Sequence, residues 1–318
     1  MKLDGKFALV TGGGSGIGRE ICLTFAREGA HVAVNDVRPE GIKETIRAMG
    51  EAGARALPAP ADVADSAAVE KMVGDVLRRY GALDILVNNA GIGEVGATTG
   101  TERLNRIAEA QIAEMMAGGP IKTHWEVTQS LDDPSWDRMV RVHLYGTFHC
   151  MREALKVMEP RGYGRILNIS SIAATVGLEG APHYCAAKAG ILGLTYSCAV
   201  ALGKYNVTCN AIMPGAATRM TDTIPANFAQ SFGLTGSSEA QRGPMDPSNV
   251  APVVVFLGSD EAQYVNGQVI GASGYRISLY SHLMPEKVLC NQGPWDLDQL
   301  SKVFKSTLGA DLKPPKML

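Results

Sequence analysis

The stretch "VTGGGSGIG" at residues 10–18 restricts the possible folds more than any other part of the chain. It follows "KFALVTG" (6–12), an apolar run that reads as a buried strand. It then opens "GIGREICLTFAREGA" (16–30), where Ile17, Ile21, Leu23, Phe25 and Ala26 keep a mostly helical rhythm up to Gly29. A glycine turn between strand and helix lets the backbone bend tightly and approach a pyrophosphate. The phosphate charge then meets the free N–H groups and positive end of the helix. Gly12, Ser15, Gly16, Ile17 and Gly18 form this candidate cradle, spaced G-x-x-x-G-x-G rather than G-x-G-x-x-G.

The rhythm then repeats. Strands are expected at 31–36, 54–61, 83–91, 164–171 and 207–215, with helices at 39–52, 64–80, 136–158 and 182–205. Such alternation predicts an α/β fold with a doubly wound parallel sheet of Rossmann type, in a single domain over 1–274. Three segments leave the pattern. An insertion at 97–132 carries a helix with Leu104, Ile107, Ala108, Ile112, Met115 and Met116 on one face, a capping box from Thr99 and Glu102, and a stop at Gly118-Gly119-Pro120. Residues 215–245 read as a substrate lid. Residues 275–318 form a Pro-punctuated C-terminal extension packed on the same domain. In and beside the lid, Met213, Met220, Phe228, Phe232, Leu234 and Met245 either line a pocket for a bulky apolar substrate or pack the lid onto the body.

A formal net charge of −2 over 318 residues argues against a nucleic-acid partner. The six cysteines are scattered without C-x-x-C or ligand-like histidine spacing, which points to reduced thiols and no metal. The N-terminus lacks the apolar core of a signal peptide, and no run reads as a membrane span, so a soluble cytoplasmic protein is expected.

Asp36 ends the second strand, where a carboxylate accepts hydrogen bonds from the adenosine ribose and repels a 2′-phosphate. NAD is therefore expected over NADP, although Arg38 could pair with a phosphate. Asp62, followed by Val63 in "PADVAD", either reaches the adenine amino group or caps the next helix. Further along, "APHYCAAKAG" sets Tyr184 and Lys188 one helical turn apart with only Cys and Ala between them.

Taken in order, "TGGGSGIG", "NNAG" (88–91), "ISS" (169–171), Tyr184 with Lys188, and "PG" (214–215) resemble the short-chain dehydrogenase/reductase family over roughly residues 4–274. Ser171 precedes Tyr184 by thirteen residues, as in that family. The resemblance implies interconversion of a secondary alcohol and a ketone by hydride transfer. It places the cofactor on the glycine turn, Asp36, Asp62, Val63, Asn89, Ala90, Gly91, Tyr184, Lys188, Pro214, Gly215 and Thr218. A free phenol, with pKa about 10, is a poor base at neutral pH; an ammonium one turn away favours the phenolate. Tyr184 is thus the expected acid/base, Lys188 the group that lowers its pKa, and Ser171 the holder of the substrate oxygen.

Where the family usually carries an Asn in a proton relay, this chain has His143, either a core histidine or a relay member. The same His occurs in a narrower group, the dehydrogenase units of the type 2 multifunctional enzymes, also called 17β-hydroxysteroid dehydrogenases type 4. "VNDV", "CNAIMPGAATRMTDTIP" and the segment after 271 resemble that group, which implies a 3-hydroxyacyl-CoA or a 17β-hydroxysteroid as substrate. The insertion at 97–132 is foreign to it. The family resemblance also implies a homotetramer or homodimer built on helices 136–160 and 182–205. Two further readings are a 3-oxoacyl-carrier-protein reductase using NADPH, which Asp36 opposes, and a silent dinucleotide sensor, which the presence of Ser171, Tyr184 and Lys188 opposes.

Overall fold

A computed structural model describes residues 1–93, 101–178, 180–218, 222, 236–237, 240 and 243–312, with side chains omitted at 54 and 101–105. Eight strands form one sheet: β1 (Phe7–Val10), β2 (His31–Asp36), β3 (Leu57–Pro60), β4 (Ile85–Asn88), β5 (Gly164–Ile169), β6 (Val207–Gly215), β7 (Val269–Ser273) and β8 (Arg276–Tyr280). Their order is β3-β2-β1-β4-β5-β6-β7-β8, and the first seven run parallel. The strand order reverses between β1 and β4, so the carboxyl ends of those strands border the ligand crevice of a doubly wound sheet. β4 and β5 are buried along their whole length, which is why they read as runs of Ile, Leu, Val and Asn rather than as alternation.

Helices cover both faces. On one face, α1 (Gly16–Arg27) and a later helix (Ala251–Gly258) pack Ile21, Phe25, Val254 and Leu257 against Val10, Val34 and Ile85. On the other, Met72, Val73, Cys150, Met151, Ala199 and Leu202 cover Leu9, Leu86 and Cys209. The remaining helices are α2 (Pro39–Ala48), α3 (Ser66–Tyr80), α4 (Thr101–Met116), α5 (Val127–Ser130), α6 (Asp133–Val140), α7 (Gly146–Arg161), α8 (Ala173–Val176) and α9 (Pro182–Leu202). With Ala251–Gly258 as α10, the series ends at α11 (Leu297–Ser306).

Four expectations change in detail. The helix at 136–158 divides into α6 and α7 around a wider π turn, Arg141–Tyr145, which turns His143 into the protein. α2 ends at Ala48 because Gly50 takes a left-handed φ of 59° and a short 3₁₀ segment follows, which also shortens the strand expected at 54–61. The C-terminal extension is more than a tail: β8 pairs antiparallel with β7, and Asp296 caps α11 through the N–H groups of Asp298 and Gln299. Finally, α9 with the short turn after it (182–205) is long and apolar enough to cross a bilayer, with a mean hydropathy of 1.5. In the fold it packs on β6 and α8 and carries buried Lys188, with 39% of that apolar window buried.

A buried polar chain crosses the middle of the sheet. Asn88 Nδ2 donates to Asn168 Oδ1 (2.8 Å), and Asn168 Nδ2 donates to Thr195 Oγ1 of α9 (3.0 Å). Asn168 is fully buried. Replacing Asn168 with Ala strands the amide of Asn88 away from water and is expected to lower stability by about 2 kcal/mol or more, measured by urea denaturation.

Candidate active site

The glycine turn is built so that side chains cannot occupy it. Gly16 takes φ 53°, and a Cβ on Gly18 would overlap the Gly12 carbonyl and stand 2.5 Å from Asn89 Nδ2. Asn89 Nδ2 in turn donates to the carbonyls of Thr11 (3.0 Å) and Gly12 (3.2 Å). Thr11, which the sequence motifs pass over, accepts at its hydroxyl from the N–H groups of Asn89 and Ala90, both at 3.0 Å. The "NNAG" segment thereby splints the turn from behind. Thr218 closes it in front, 3.3 Å from where a Gly16 Cβ would lie. Gly215 at the end of β6 fits only as glycine, because a Cβ there would overlap the Ser273 hydroxyl.

Asp36 is buried at the end of β2, where Oδ2 accepts from Gly14 N–H (3.1 Å) and Oδ1 from Arg38 N–H (2.9 Å). Arg38 lies beside it, its Nε 3.5 Å from Oδ1 and its Nη2 donating to Ser15 Oγ at 3.3 Å. Arg19 is held elsewhere, by Gly14 O (2.8 Å), Glu44 (2.7 Å) and Thr45 (3.1 Å). A cavity of about 420 Å³ opens between these groups, lined by Gly14, Ser15, Gly16, Arg19, Arg38 and Glu44 among others. An emptied glycine cradle, a fixed carboxylate and this cavity together fit a dinucleotide. Asp62 makes a local turn, accepting from Ala64 N–H at 2.9 Å, while the cap of α3 is Asp65. Val63 is buried, and its carbonyl lies 3.0 Å from His149 Nδ1.

Ser171, Tyr184, Lys188 and His143 come together. The Ser171 hydroxyl is within hydrogen-bonding reach of the Tyr184 phenol. Lys188 is buried, its Nζ donating to the Ile169 carbonyl at 2.8 Å and lying 5.6 Å from the Tyr184 ring centre. Burial lowers Lys188 to about 7 and raises the Tyr184 phenol above its ordinary value, with the Ser171 contact opposing that rise. Both shifts come first from the water that these buried groups lose, and a lysine titrating near neutrality carries only part of its charge.

His143 is held by the π turn with 1% exposure. Its ring stands edge-on to Tyr184, centres 5.4 Å apart. Nε2 faces both the N–H (3.1 Å) and the carbonyl (2.9 Å) of Ile92, so the tautomer decides which of them it bonds. Nδ1 is buried and has no partner among the described residues. Gly91 makes room for the ring, since a Cβ there would lie 3.0 Å from Nδ1. Burial first, then the Lys188 charge, lowers His143 to about 3, so the ring is neutral at neutral pH. His183, next to Tyr184 and buried, also adds to that lowering, and nothing in the motif pattern singled it out.

Of the lid residues, Met213 packs in the core with Leu192, Ala211 and Val269, and the Met245 carbonyl accepts from Ala217 N–H at 2.8 Å. Met220, Phe228, Phe232 and Leu234 lie outside the described residues, as does Thr99 of the expected capping box. Among the described residues no three His, Cys, Asp or Glu side chains converge as a metal site.

Residues 6–228 match the family described as short chain dehydrogenase. The chain belongs to the short-chain dehydrogenase/reductase family. It is thus an oxidoreductase acting on CH–OH groups, and the family binds a nicotinamide dinucleotide. A hydroxyacyl-CoA dehydrogenase, ChsB1, of Mycobacterium tuberculosis is 35% identical over 95% of this chain and 88% of its own length. A 3-oxoacyl-[acyl-carrier-protein] reductase, FabG, of Thermotoga maritima is 32% identical over 86% of this chain and 98% of its own. The crystal structure of a short chain dehydrogenase from Mycobacterium avium superposes with a TM-score of 0.76 at 32% identity, covering 99% of this chain and 98% of that one.

The burial of His143 has a measurable consequence. The unfolded chain takes up a proton at this residue near its ordinary 6.5, whereas the folded protein resists protonation down to about 3. Stability contributed by the neutral ring is complete above pH 6.5 and is lost as pH falls through that window, by on the order of a few kcal/mol. Replacing His143 with Asn is expected to flatten the fall in denaturation midpoint between pH 6.5 and 4 relative to wild type.

Proposed function

We propose that the protein oxidises a 3-hydroxyacyl thioester with NAD, using Tyr184 as acid/base. The observation that carries this reading is the convergence of the Ser171 hydroxyl, the Tyr184 phenol and buried Lys188 at the carboxyl end of β5. Bound in the crevice, the nicotinamide supplies the hydride acceptor. Ser171 orients the carbinol oxygen and Tyr184 takes its proton. Lys188 holds the nicotinamide ribose and, when charged, steadies the phenolate. His143 is assigned the relay position, its unpartnered Nδ1 being the buried group able to exchange a hydrogen bond behind Tyr184.

NAD is supported over NADP by the buried Asp36 carboxylate, which two backbone N–H groups hold at the end of β2 beside the glycine turn, where it would meet the adenosine ribose. The thioester is supported by the mycobacterial hydroxyacyl-CoA dehydrogenase. Its match leaves only 5% of this chain uncovered and so must reach past residue 274, into the strand and helix of the extension. A 17β-hydroxysteroid is the second substrate class. The carrier-protein reductase reading draws on the Thermotoga relative and would require NADPH. The homo-oligomer is assigned to α7, the π turn before it and α9, where Tyr145, Phe148 and Val200 stay exposed at 46%, 43% and 88%.

Two experiments test the assignment. Replacing Tyr184 with Phe is expected to cut kcat by about 10²–10⁴ with NAD binding retained; full turnover of a 3-hydroxyacyl-CoA by this variant overturns the mechanism. Replacing Asp36 with Ala is expected to narrow the NAD-over-NADP preference in Kd by about tenfold or more. A wild type that already prefers NADP removes the argument for NAD and brings the reductase forward.

A further inference from the structure

Three residues of α7, spaced three apart, grip one turn at the carboxyl end of the sheet. Gly146, His149 and Arg152 follow one another along a single face of that helix. A Cβ at Gly146 would lie 2.6 Å from Val63 Cγ2, so the bare backbone there seats the Val63 side chain. His149 Nδ1 stands 3.0 Å from the Val63 carbonyl. A carbonyl only accepts, so Nδ1 is the ring nitrogen that donates. Arg152 Nη2 donates to the Ser66 hydroxyl at 2.8 Å. The imidazole is flanked by two neighbouring rings, Tyr145 and Phe148, with centres 6.2 Å and 5.9 Å away.

The turn held in this way has two sides. Val63 is buried against α7, while its neighbour Asp62 stays exposed. The Asp62 carbonyl accepts from Asp65 N–H (3.1 Å) and its carboxylate from Ala64 N–H (2.9 Å). From the sheet, buried Asn35 donates to the carbonyls of Ala59 (2.8 Å) and Ala61 (3.0 Å). Asp36 pairs in register with Pro60, so the turn starts one strand spacing, about 4.8 Å, from the Asp36 backbone. Along the sheet the order is β5, β4, β1, β2 and β3. Ser171 follows β5, the glycine turn follows β1, Asp36 ends β2, and the 61–66 turn follows β3. A dinucleotide with its nicotinamide at Tyr184, its pyrophosphate on the glycine turn and its ribose at Asp36 therefore runs toward β3. Its adenine is the group directed at this turn.

We propose that His149 is a positioning residue for the adenine end of the dinucleotide, holding the Asp62–Val63 turn where it meets the base. The assignment rests on the dinucleotide site described above and not on the choice between NAD and NADP, since both carry adenine. Without the imidazole, the part-buried Val63 carbonyl loses its donor. The turn then keeps only its seat on Gly146 and the bond at Ser66. Binding has to order what the helix no longer orders, which weakens affinity for the adenosine half. Cofactor affinity is thereby tied to α7, the helix to which the homo-oligomer is assigned.

The test is His149→Ala, titrated with ligands that carry or lack the adenine. The Kd for ADP-ribose is expected to rise about fivefold or more, and that for NAD by a similar factor. Nicotinamide mononucleotide, which has no adenosine, should bind within about twofold of its wild-type Kd. His149→Asn places an amide N–H close to the position of Nδ1 and is expected to recover most of the loss. Unchanged ADP-ribose affinity in the alanine variant overturns the proposal. Equal losses for ADP-ribose and nicotinamide mononucleotide also overturn it, since they report general damage to the fold. A wild type that prefers NADP defeats the NAD reading alone, and the same split between the two half-ligands then still supports the role of His149. Should the alanine variant fail to fold, hydrogen–deuterium exchange of the wild-type protein decides. ADP-ribose is expected to slow exchange across 61–66, and nicotinamide mononucleotide to leave it unchanged. Exchange there that ignores ADP-ribose overturns the proposal.

Discussion

The site depends on a two-way staple between β5 and α9. Lys188 sends its ammonium to the Ile169 carbonyl at 2.8 Å, and the Ser170 hydroxyl returns a hydrogen bond to the Lys188 carbonyl at 2.9 Å. Both partners are buried, so neither bond competes with water. Ser171 follows Ser170 directly, and Tyr184 lies one turn before Lys188 on the same helix. Fixing the helix to the strand at this point therefore fixes hydroxyl against phenol. Lys188 anchors the scaffold before it does any chemistry, and the same burial that makes the anchor strong brings its proton affinity down to the neutral range.

This coupling explains what could be foreseen in the sequence and what could not. The strand–turn–helix at 6–30 was legible because glycine spacing and apolar rhythm are local properties, and the parallel sheet follows from the same alternation carried down the chain. The π turn at Arg141–Tyr145 was not legible, since its five residues keep an unremarkable helical pattern and only the need to bury His143 reveals it. β8 was missed because "RISLY" is short and half exposed, and it becomes a strand only by pairing with β7. The end of α2 was misplaced because Gly53 looked like the stop, whereas Gly50 adopts the left-handed turn.

At the site, residue identities were easier to foresee than energetics. The fold brings Ser171, Tyr184 and Lys188 together, while their spacing speaks only of a neighbouring charge and not of the water that both groups lose. Thr11 escaped notice because a threonine before a glycine turn looks like ordinary strand, and its two backbone hydrogen bonds are seen only in three dimensions.

The π turn has a consequence for how this chain can change over generations. A π turn holds one residue more than the α turn it replaces, and Arg141–Tyr145 takes up that residue locally between α6 and α7. A single-codon deletion inside it would return the stretch to an ordinary α turn. Cys150, Met151, Ala154 and Met158 would keep their stripe on the sheet. Position 143 would instead lose the bulge that turns its side chain inward, so the pocket of the histidine, and not the packing of the helix, is what one genetic step can remove.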